Sequence, residues 1–352
     1  MEYLWVLEPD TEYEAPRNKH DKGYKYLLST KRIFIQLLRC FLDKSWVDRI
    51  DENSVEYINK SFILPDFKDK EADVIYKVRI DGKEVFFYIL LELQSTVDYQ
   101  MPYRLLQYML EIWRTILKDT EKARKKAKKD SLGKIKDKDN DNNNEEMELI
   151  GKGKNFKLPV IIPAVLYNGR YRWKAGRTFR AILAANELFD DYMIDFKYIL
   201  FDVARYTEEE LLKLGNLIGA VFYIDQKPKF DEIIKRLRKL IDLLGKLSEE
   251  DLNLFRHWLK NVVTRSMAEE NAREITKIID ETVEVDNMVY AVEIALRKKI
   301  KEVKLEGRLE GKLEGKLEVA KNMLAEGMDM EQISRITKIP VDELQRLLQD
   351  LS

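Results

Sequence analysis

Apolar residues along this chain follow two regimes: short strand-like runs mixed with helical periods up to residue 205, then helical spacing almost throughout. Residues 31–42 repeat with a helical period that places Ile33, Leu37, Leu38 and Phe41 on one side, and the residues before them read as irregular. Three strand-like runs follow, at 55–64, 72–80 and 84–94. Residues 101–117 predict an amphipathic helix, with Pro102 in the first turn, where its missing N–H has no helical partner to lose. The apolar run 158–166, closed by Asn168-Gly169, predicts a buried strand, and 196–203 predicts another. From Thr207 onward the spacing is helical.

Two stretches break this pattern. Residues 118–154 are dominated by Lys, Asp, Glu and Asn and hold few apolar residues, so burial cannot offset the entropy of ordering them. They read as a solvated, disordered insertion. Near the C-terminus, Glu-Gly-Arg-Leu at 306–309 is followed by two Glu-Gly-Lys-Leu units at 310–313 and 314–317. A step of four advances about 400° around a helix, so the leucine stripe drifts slowly across its surface. Each interior glycine costs about 1 kcal/mol relative to alanine. A packed partner helix would offset that cost and make a homodimer through the C-terminal helices; a frayed helical linker is the alternative. The last residues predict short helices: one ending near Glu326-Gly327, one at 331–336, and one opened by Pro340 over 341–351. They suggest a small helix-turn-helix. The third helix carries Asp342, Glu343 and Asp350 against Arg346, which favours protein contact over a phosphate backbone.

Charge narrows the function classes. The chain of 352 residues carries a formal net charge of -1, so no whole-molecule field draws it to nucleic acid, and any such contact must come from local clusters. Cys40, the single cysteine, excludes a disulfide framework and a cysteine zinc site, and its apolar helical surroundings read as core. With two histidines, His20 and His257, any catalytic metal must be held mainly by carboxylates. No run approaches the roughly 18 apolar residues that span a bilayer. Residues 1–16 are acidic and lack a basic segment followed by an apolar one, so the reading is cytoplasmic with no membrane partner.

The chemistry concentrates at 71–95. Asp81-Gly82 between two strand-like runs signals a two-residue hairpin turn. If Ile80 pairs with Lys83, counting outward sets Asp73 opposite Leu90, with Glu92 one diagonal step along and Gln94 on the same face. Diagonal neighbours lie roughly 7–8 Å apart, a gap that two carboxylates close around one cation. The reverse face presents Ala72, Val74, Tyr76, Val78, Val85, Phe87, Ile89 and Leu91 as a core face. A one-residue bulge would send the two carboxylates to opposite faces. Acidic residues that merely tip an exposed sheet edge are the bland alternative.

At these residues the chain resembles the recombination-promoting nuclease and putative transposase family, which includes YhgA-like proteins. The matching segments are residues 20–29 (HDKGYKYLLS), 72–76 (ADVIY) and 90–96 (LLELQST), with 101–108, Val165-Leu166-Tyr167-Asn168-Gly169 and the repeat-bearing tail. The resemblance implies an α/β fold with a restriction-endonuclease-like PD-(D/E)xK core, ordered αβββαβ, over 1–117 and 155–205. The insertion (118–154), a helical region (206–290), a long helix with the repeat (291–326) and a small helical tail (327–352) complete the chain. It further implies that Asp73 and Glu92 bind Mg²⁺, with Mn²⁺ as a substitute, and that Gln94 fills the usual lysine position. Arg104 or Lys77 would then supply positive charge, Asp21 would be an accessory or N-cap residue, and Arg104, Tyr108 and Trp113 would line a path for double-stranded DNA. Helical spacing makes Leu105, Leu106, Met109 and Ile112 core, and a tryptophan in the position of Trp113 is more often core than contact. The expected activity is Mg²⁺-dependent DNA endonuclease of low sequence specificity in recombination or transposition. A weak or inactive DNA-binding or protein-interaction module on the same scaffold is the alternative. An RNase-H-like transposase fits poorly, because its acids are widely separated in sequence.

Overall fold

A computed structural model of the chain describes residues 18–58, 74–92, 97–131, 156–169, 171–226, 229–264, 267 and 269–349. The chain divides into two compact units, Met1–Asp286 and Asn287–Ser352.

The first unit is organised by the predicted hairpin. Strands β2 (Val74–Ile80) and β3 (Lys83–Glu92) are antiparallel and joined by Asp81-Gly82. Both turn residues have positive φ, 51° and 75°, as a turn matching strand twist requires. Pairing runs from Ile80↔Lys83 to Val74↔Ile89 with no bulge, which is the register expected from the turn. Strand β1 (Ile50–Tyr57) lies antiparallel against β2, with a register shift between Asp51 and Glu56. Strands β4 (Val160–Tyr167) and β5 (Ile199–Asp202) extend the sheet in parallel, giving five strands in the order β1-β2-β3-β4-β5. The first strand begins at Ile50 rather than at residue 55; residues 59–73 lie outside those described.

Both faces of the sheet are buried. On one, helices α1 (Asn18–Leu28) and α2 (Lys31–Phe41) cover the apolar row Val74, Tyr76, Val78, Phe87 and Ile89. Phe34 stacks on Tyr76 at 4.0 Å and meets Phe87 edge-on at 5.6 Å. On the other, helix α3 (Met101–Ser131) packs Met101, Leu105, Tyr108, Met109 and Ile112 against Ile75, Phe86, Tyr88 and Leu90. The side expected to carry the polar trio is therefore as apolar, along most of its length, as its reverse. This double burial explains the unbroken apolar run 85–91, the mark of a central strand covered on both sides.

Two helices depart from expectation. Residues 18–28, read as irregular, form α1, and Tyr24, Leu27 and Leu28 on it are fully buried. Gly23 interrupts its apolar period because α1 runs close to a later helix: an added Cβ would stand 3.3 Å from Trp258 and Asn261. Helix α3 continues to Ser131, beyond the end expected at 117. Lys, Glu, Ala and Arg are good helix formers, and the Lys125–Glu121 pair at 3.0 Å and the Lys122–Asp119 pair at 3.9 Å add the usual small i,i+4 and i,i+3 support. Residues 132–155 lie outside those described.

After β5 the unit is helical, as expected: α4 (Glu208–Lys213), α5 (Leu217–Asp225), α6 (Phe230–Leu244), α7 (Glu249–Val263) and α8 (Glu269–Glu281). A capping box of Thr207 and Glu210 opens α4, Asn216 caps α5 and Ser248 caps α7. Every residue of α5 is buried. Cys40 is half-buried, and its Sγ accepts a hydrogen bond from Asn216 Nδ2 at 3.1 Å.

In the second unit, the end of helix α9 (Val285–Ala325) packs with α10 (Met330–Thr337) and α11 (Val341–Gln349) through Leu317, Ala320, Ile333, Ile339 and Leu344. The four-residue repeat lies within α9. A Cβ added at Gly307, Gly311 or Gly315 would meet open space among the described residues, and Leu305 and Leu309 are more than half exposed. No helix among the described residues is long and apolar enough to cross a membrane.

Candidate active site

The expected site falls at the carboxyl end of β3. Glu92 is the last residue of that strand, and its backbone pairs in parallel with Tyr167 at the end of β4. Tyr167 in turn pairs with Asp202, the last residue of β5. Glu92, Tyr167 and Asp202 thus stand in one row across three adjacent strands, and Tyr167 of that row joins the cluster beneath α3. Carboxyl ends of parallel strands are where α/β sheets most often place ligands, because loops leaving them open a crevice. The side chain of Glu92, and Asp73 and Gln94 entirely, lie outside the described residues. Asp21 falls within α1, and its side chain is likewise outside. Among the described residues no group of three or more His, Cys, Asp or Glu could hold a metal ion.

Asp202 was not singled out by sequence reasoning. It lies one residue before the end of the strand expected at 196–203, a position that is the available sequence signal for it. One carboxylate oxygen faces Arg205 Nε at 3.4 Å, and the backbone N–H of Trp173 donates to the group. Its Oδ1 is buried without a hydrogen-bond partner. Burial raises the carboxyl above its ordinary range, against the lowering pull of Arg205, of the Trp173 N–H and of Arg172.

Behind this row lies a second unforeseen group. Asp225, at the end of α5, is 2% exposed. Its carboxylate accepts a hydrogen bond from the Tyr24 hydroxyl of α1 at 2.8 Å and a shorter one from Asn168 Nδ2, whose amide also donates to the Asp225 carbonyl at 3.1 Å. Burial, together with the nearby Asp225 charge, raises the Tyr24 hydroxyl well above its usual value, so it remains a donor. One carboxylate therefore ties α1, the exit of β4 and α5 together immediately behind Tyr167. Nothing in local sequence brings positions 24, 168 and 225 together.

Gly169 has a steric rather than a conformational reason. An added Cβ would lie 2.0 Å from the Tyr167 hydroxyl, and Tyr167 is fully buried, donates to the Tyr171 carbonyl at 2.7 Å and meets Trp173 edge-on at 4.8 Å. Gly169→Ala is expected to push that ring out of place and to destabilise the fold by about 2–3 kcal/mol, the upper range for overpacking a rigid core. Urea denaturation reads the effect; an unchanged midpoint would contradict this packing account.

The residues expected along a DNA path are turned inward. Arg104 is 5% exposed and ion-pairs with Asp98, and Tyr108 is buried with its ring stacked on Tyr88 at 5.0 Å. As placed, neither offers a surface contact: both lie on the face of α3 that packs against the sheet. Trp113 is partly buried against the cluster beneath α3, its indole N–H donating to the Pro159 carbonyl at 2.8 Å. Lys77 pairs with Glu56 at 3.1 Å and lies 3.8 Å from Glu84.

No solved structure matches this chain. Residues 313–349 match the model described as the C-terminal HTH domain of the Rpn/YhgA-like nuclease family, which coincides with the packed end of α9, α10 and α11. Residues 18–127 and 145–255 match the model described as putative transposase, YhgA-like; the unmatched stretch between them lies within the charged insertion. That match spans the sheet, the helices on both of its faces and most of the helical layer, and the chain belongs to the YhgA-like putative transposase family.

Proposed function

We propose that this protein is a metal-dependent DNA endonuclease whose site uses Asp73, Glu92 and Gln94 on a PD-(D/E)xK core. The observation that carries the reading is the unbroken β2–β3 register. The pairing is free of a bulge as far as Val74↔Ile89, the condition under which counting outward from the turn would put Asp73 and Glu92 on one face. Membership of a family whose C-terminal model is named for a nuclease supports the same reading.

The donor set suits a hard divalent cation such as Mg²⁺ or Mn²⁺: two carboxylates, with no cysteine or histidine ligand required. When bound, such an ion polarises the phosphodiester and lowers the pKa of a coordinated water. The chain's own residues do the rest. Asp73 and Glu92 would hold the cation, and Gln94 would orient a water through its amide without supplying positive charge. The buried guanidinium of Arg104, six residues beyond Asp98 and fixed by it, is the candidate for that missing charge. The exposed leucine stripe of α9 supports pairing of two copies through their C-terminal helices.

The test is incubation of the purified chain with supercoiled plasmid. Nicking with Mg²⁺ and none with excess EDTA is the expected result. Intact plasmid with both Mg²⁺ and Mn²⁺ would overturn the reading in favour of a non-catalytic scaffold, the alternative that glutamine at position 94 motivates.

A further inference from the structure

We propose that the segment linking β4 to β5, together with Arg205, forms a clamp for the phosphate backbone of double-stranded DNA beside the carboxyl row of the sheet. The inference rests on the nuclease reading for its location. Its own evidence is separate.

Residues 171–180 (YRWKAGRTFR) hold four cations, Arg172, Lys174, Arg177 and Arg180, and no carboxylate. Arg172, Lys174 and Arg177 are exposed, and the Arg205 side chain is 45% exposed. The segment is not a loose loop. Trp173 is buried against Tyr167 and donates its indole N–H to the Tyr198 hydroxyl at 2.8 Å, which donates on to the Gly176 carbonyl at 2.8 Å. Thr178 bridges Lys197, and the Arg177 guanidinium sits 5.4 Å from the centre of the Tyr198 ring. Alternating residues thus divide the labour: Trp173 and Ala175 anchor the backbone in the core, while Arg172, Lys174 and Arg177 project outward. The acids of this connection, Glu187, Asp190, Asp191 and Asp195, come later, and Asp195 is engaged by the Arg180 backbone N–H at 2.9 Å.

Asp202 sets the position of the cluster. Its carboxylate lies 3.4 Å from Arg205 Nε, feels Arg172 and accepts the Trp173 N–H, which ties these two cations to the end of β5. That end shares a row with Glu92, two strands away. Two strand spacings are about 10 Å. About three successive phosphates of one DNA strand span that rise, at about 3.4 Å each along the duplex axis. A duplex whose scissile phosphate lies near Glu92 would therefore bring its neighbouring phosphates over Arg172, Lys174, Arg177 and Arg205. Arg205 and Arg172 both act on the half-buried Asp202 carboxylate, and residues 171–180 bring no acid of their own to this corner of a chain whose net charge is -1. The third helix of the C-terminal unit offers the opposite, with Asp342 and Glu343 exposed beside Arg346.

The experiment is binding of a fluorescent 20-base-pair duplex in EDTA, followed by anisotropy across a salt series. It compares the full chain, the triple variant Arg172→Gln/Lys174→Gln/Arg177→Gln, and a control, Arg273→Gln/Lys277→Gln, on exposed α8 positions. The triple variant is expected to bind at least about tenfold more weakly at 0.1 M salt, with the slope of log K against log salt reduced by about three, roughly one per lost contact. The control should match wild type. A triple variant that binds like wild type, a control that weakens equally, or a wild type with no affinity for duplex would each overturn the clamp. The two readings fail separately. Wild type that nicks plasmid while the triple variant binds normally removes the clamp alone; wild type that binds through the clamp but never nicks removes the nuclease reading alone.

Discussion

Glu92→Gln is expected to lower plasmid nicking by at least about a hundredfold while leaving the denaturation midpoint close to wild type. Glutamine keeps the shape and one oxygen of the side chain but removes the charge that holds a hard cation. Changing partners one shell further from a metal already costs about 10–100-fold, so neutralising a proposed ligand should cost no less. The position argues against a structural explanation of such a loss. Glu92 closes β3, after Phe86, Tyr88 and Leu90 have completed the apolar row beneath α3, and its backbone pairing with Tyr167 does not depend on the side chain. Single-turnover nicking rates measure the effect. A rate within threefold of wild type would remove Glu92 from the proposed chemistry.

Asp225→Ala should act on the fold instead. Asp225 accepts from Tyr24 and Asn168, and alanine leaves the tyrosine hydroxyl and one amide proton without that acceptor inside the protein. Each buried donor stranded in this way costs about 1–3 kcal/mol, giving an expected loss of about 2–4 kcal/mol. Against a typical total of about 5–15 kcal/mol, that is a large share. Tyr24→Phe removes one donor but leaves the Asp225 carboxylate held by Asn168, and should cost less, about 1–2 kcal/mol. Urea denaturation separates the two variants. Equal midpoints for Asp225→Ala and wild type would mean that the network does not hold α1, the β4 exit and α5 together. Because Asn168 and Gly169 directly follow Tyr167 in the carboxyl row, a partial loss of nicking in Asp225→Ala at low temperature would report displacement of that row.

What the sequence discloses follows from the range of the forces involved. The β2–β3 hairpin is legible because Asp81-Gly82 is a local signal and strand alternation propagates it residue by residue to Val74↔Ile89. Helix α2 is legible because its apolar stripe stays within eleven residues. The start of α4 is legible from Thr207, which caps it. Helix α1 escapes notice because Gly23 breaks the periodicity for the sake of contact with Trp258, a residue far away in the chain. The extension of α3 to Ser131 escapes because dense charge is a solvation signal, although Lys, Glu and Arg are also good helix formers. The inward turn of Arg104 and Tyr108 depends on which face of α3 meets the sheet, and amphipathic spacing had already assigned the neighbouring Leu105 and Met109 to that face. Asp225 and Asp202 gain their settings from partners or strands separated by long stretches of chain, and a single sequence holds no record of such meetings.

The measurement that bears most directly on the nuclease assignment compares wild type and Asp73→Ala on supercoiled plasmid, each with Mg²⁺ and with EDTA, after circular dichroism has confirmed matching folds. The account predicts nicking by wild type with Mg²⁺ alone and none by Asp73→Ala under either condition. Equal cutting by the two proteins, or no cutting by wild type with any divalent cation, would contradict it.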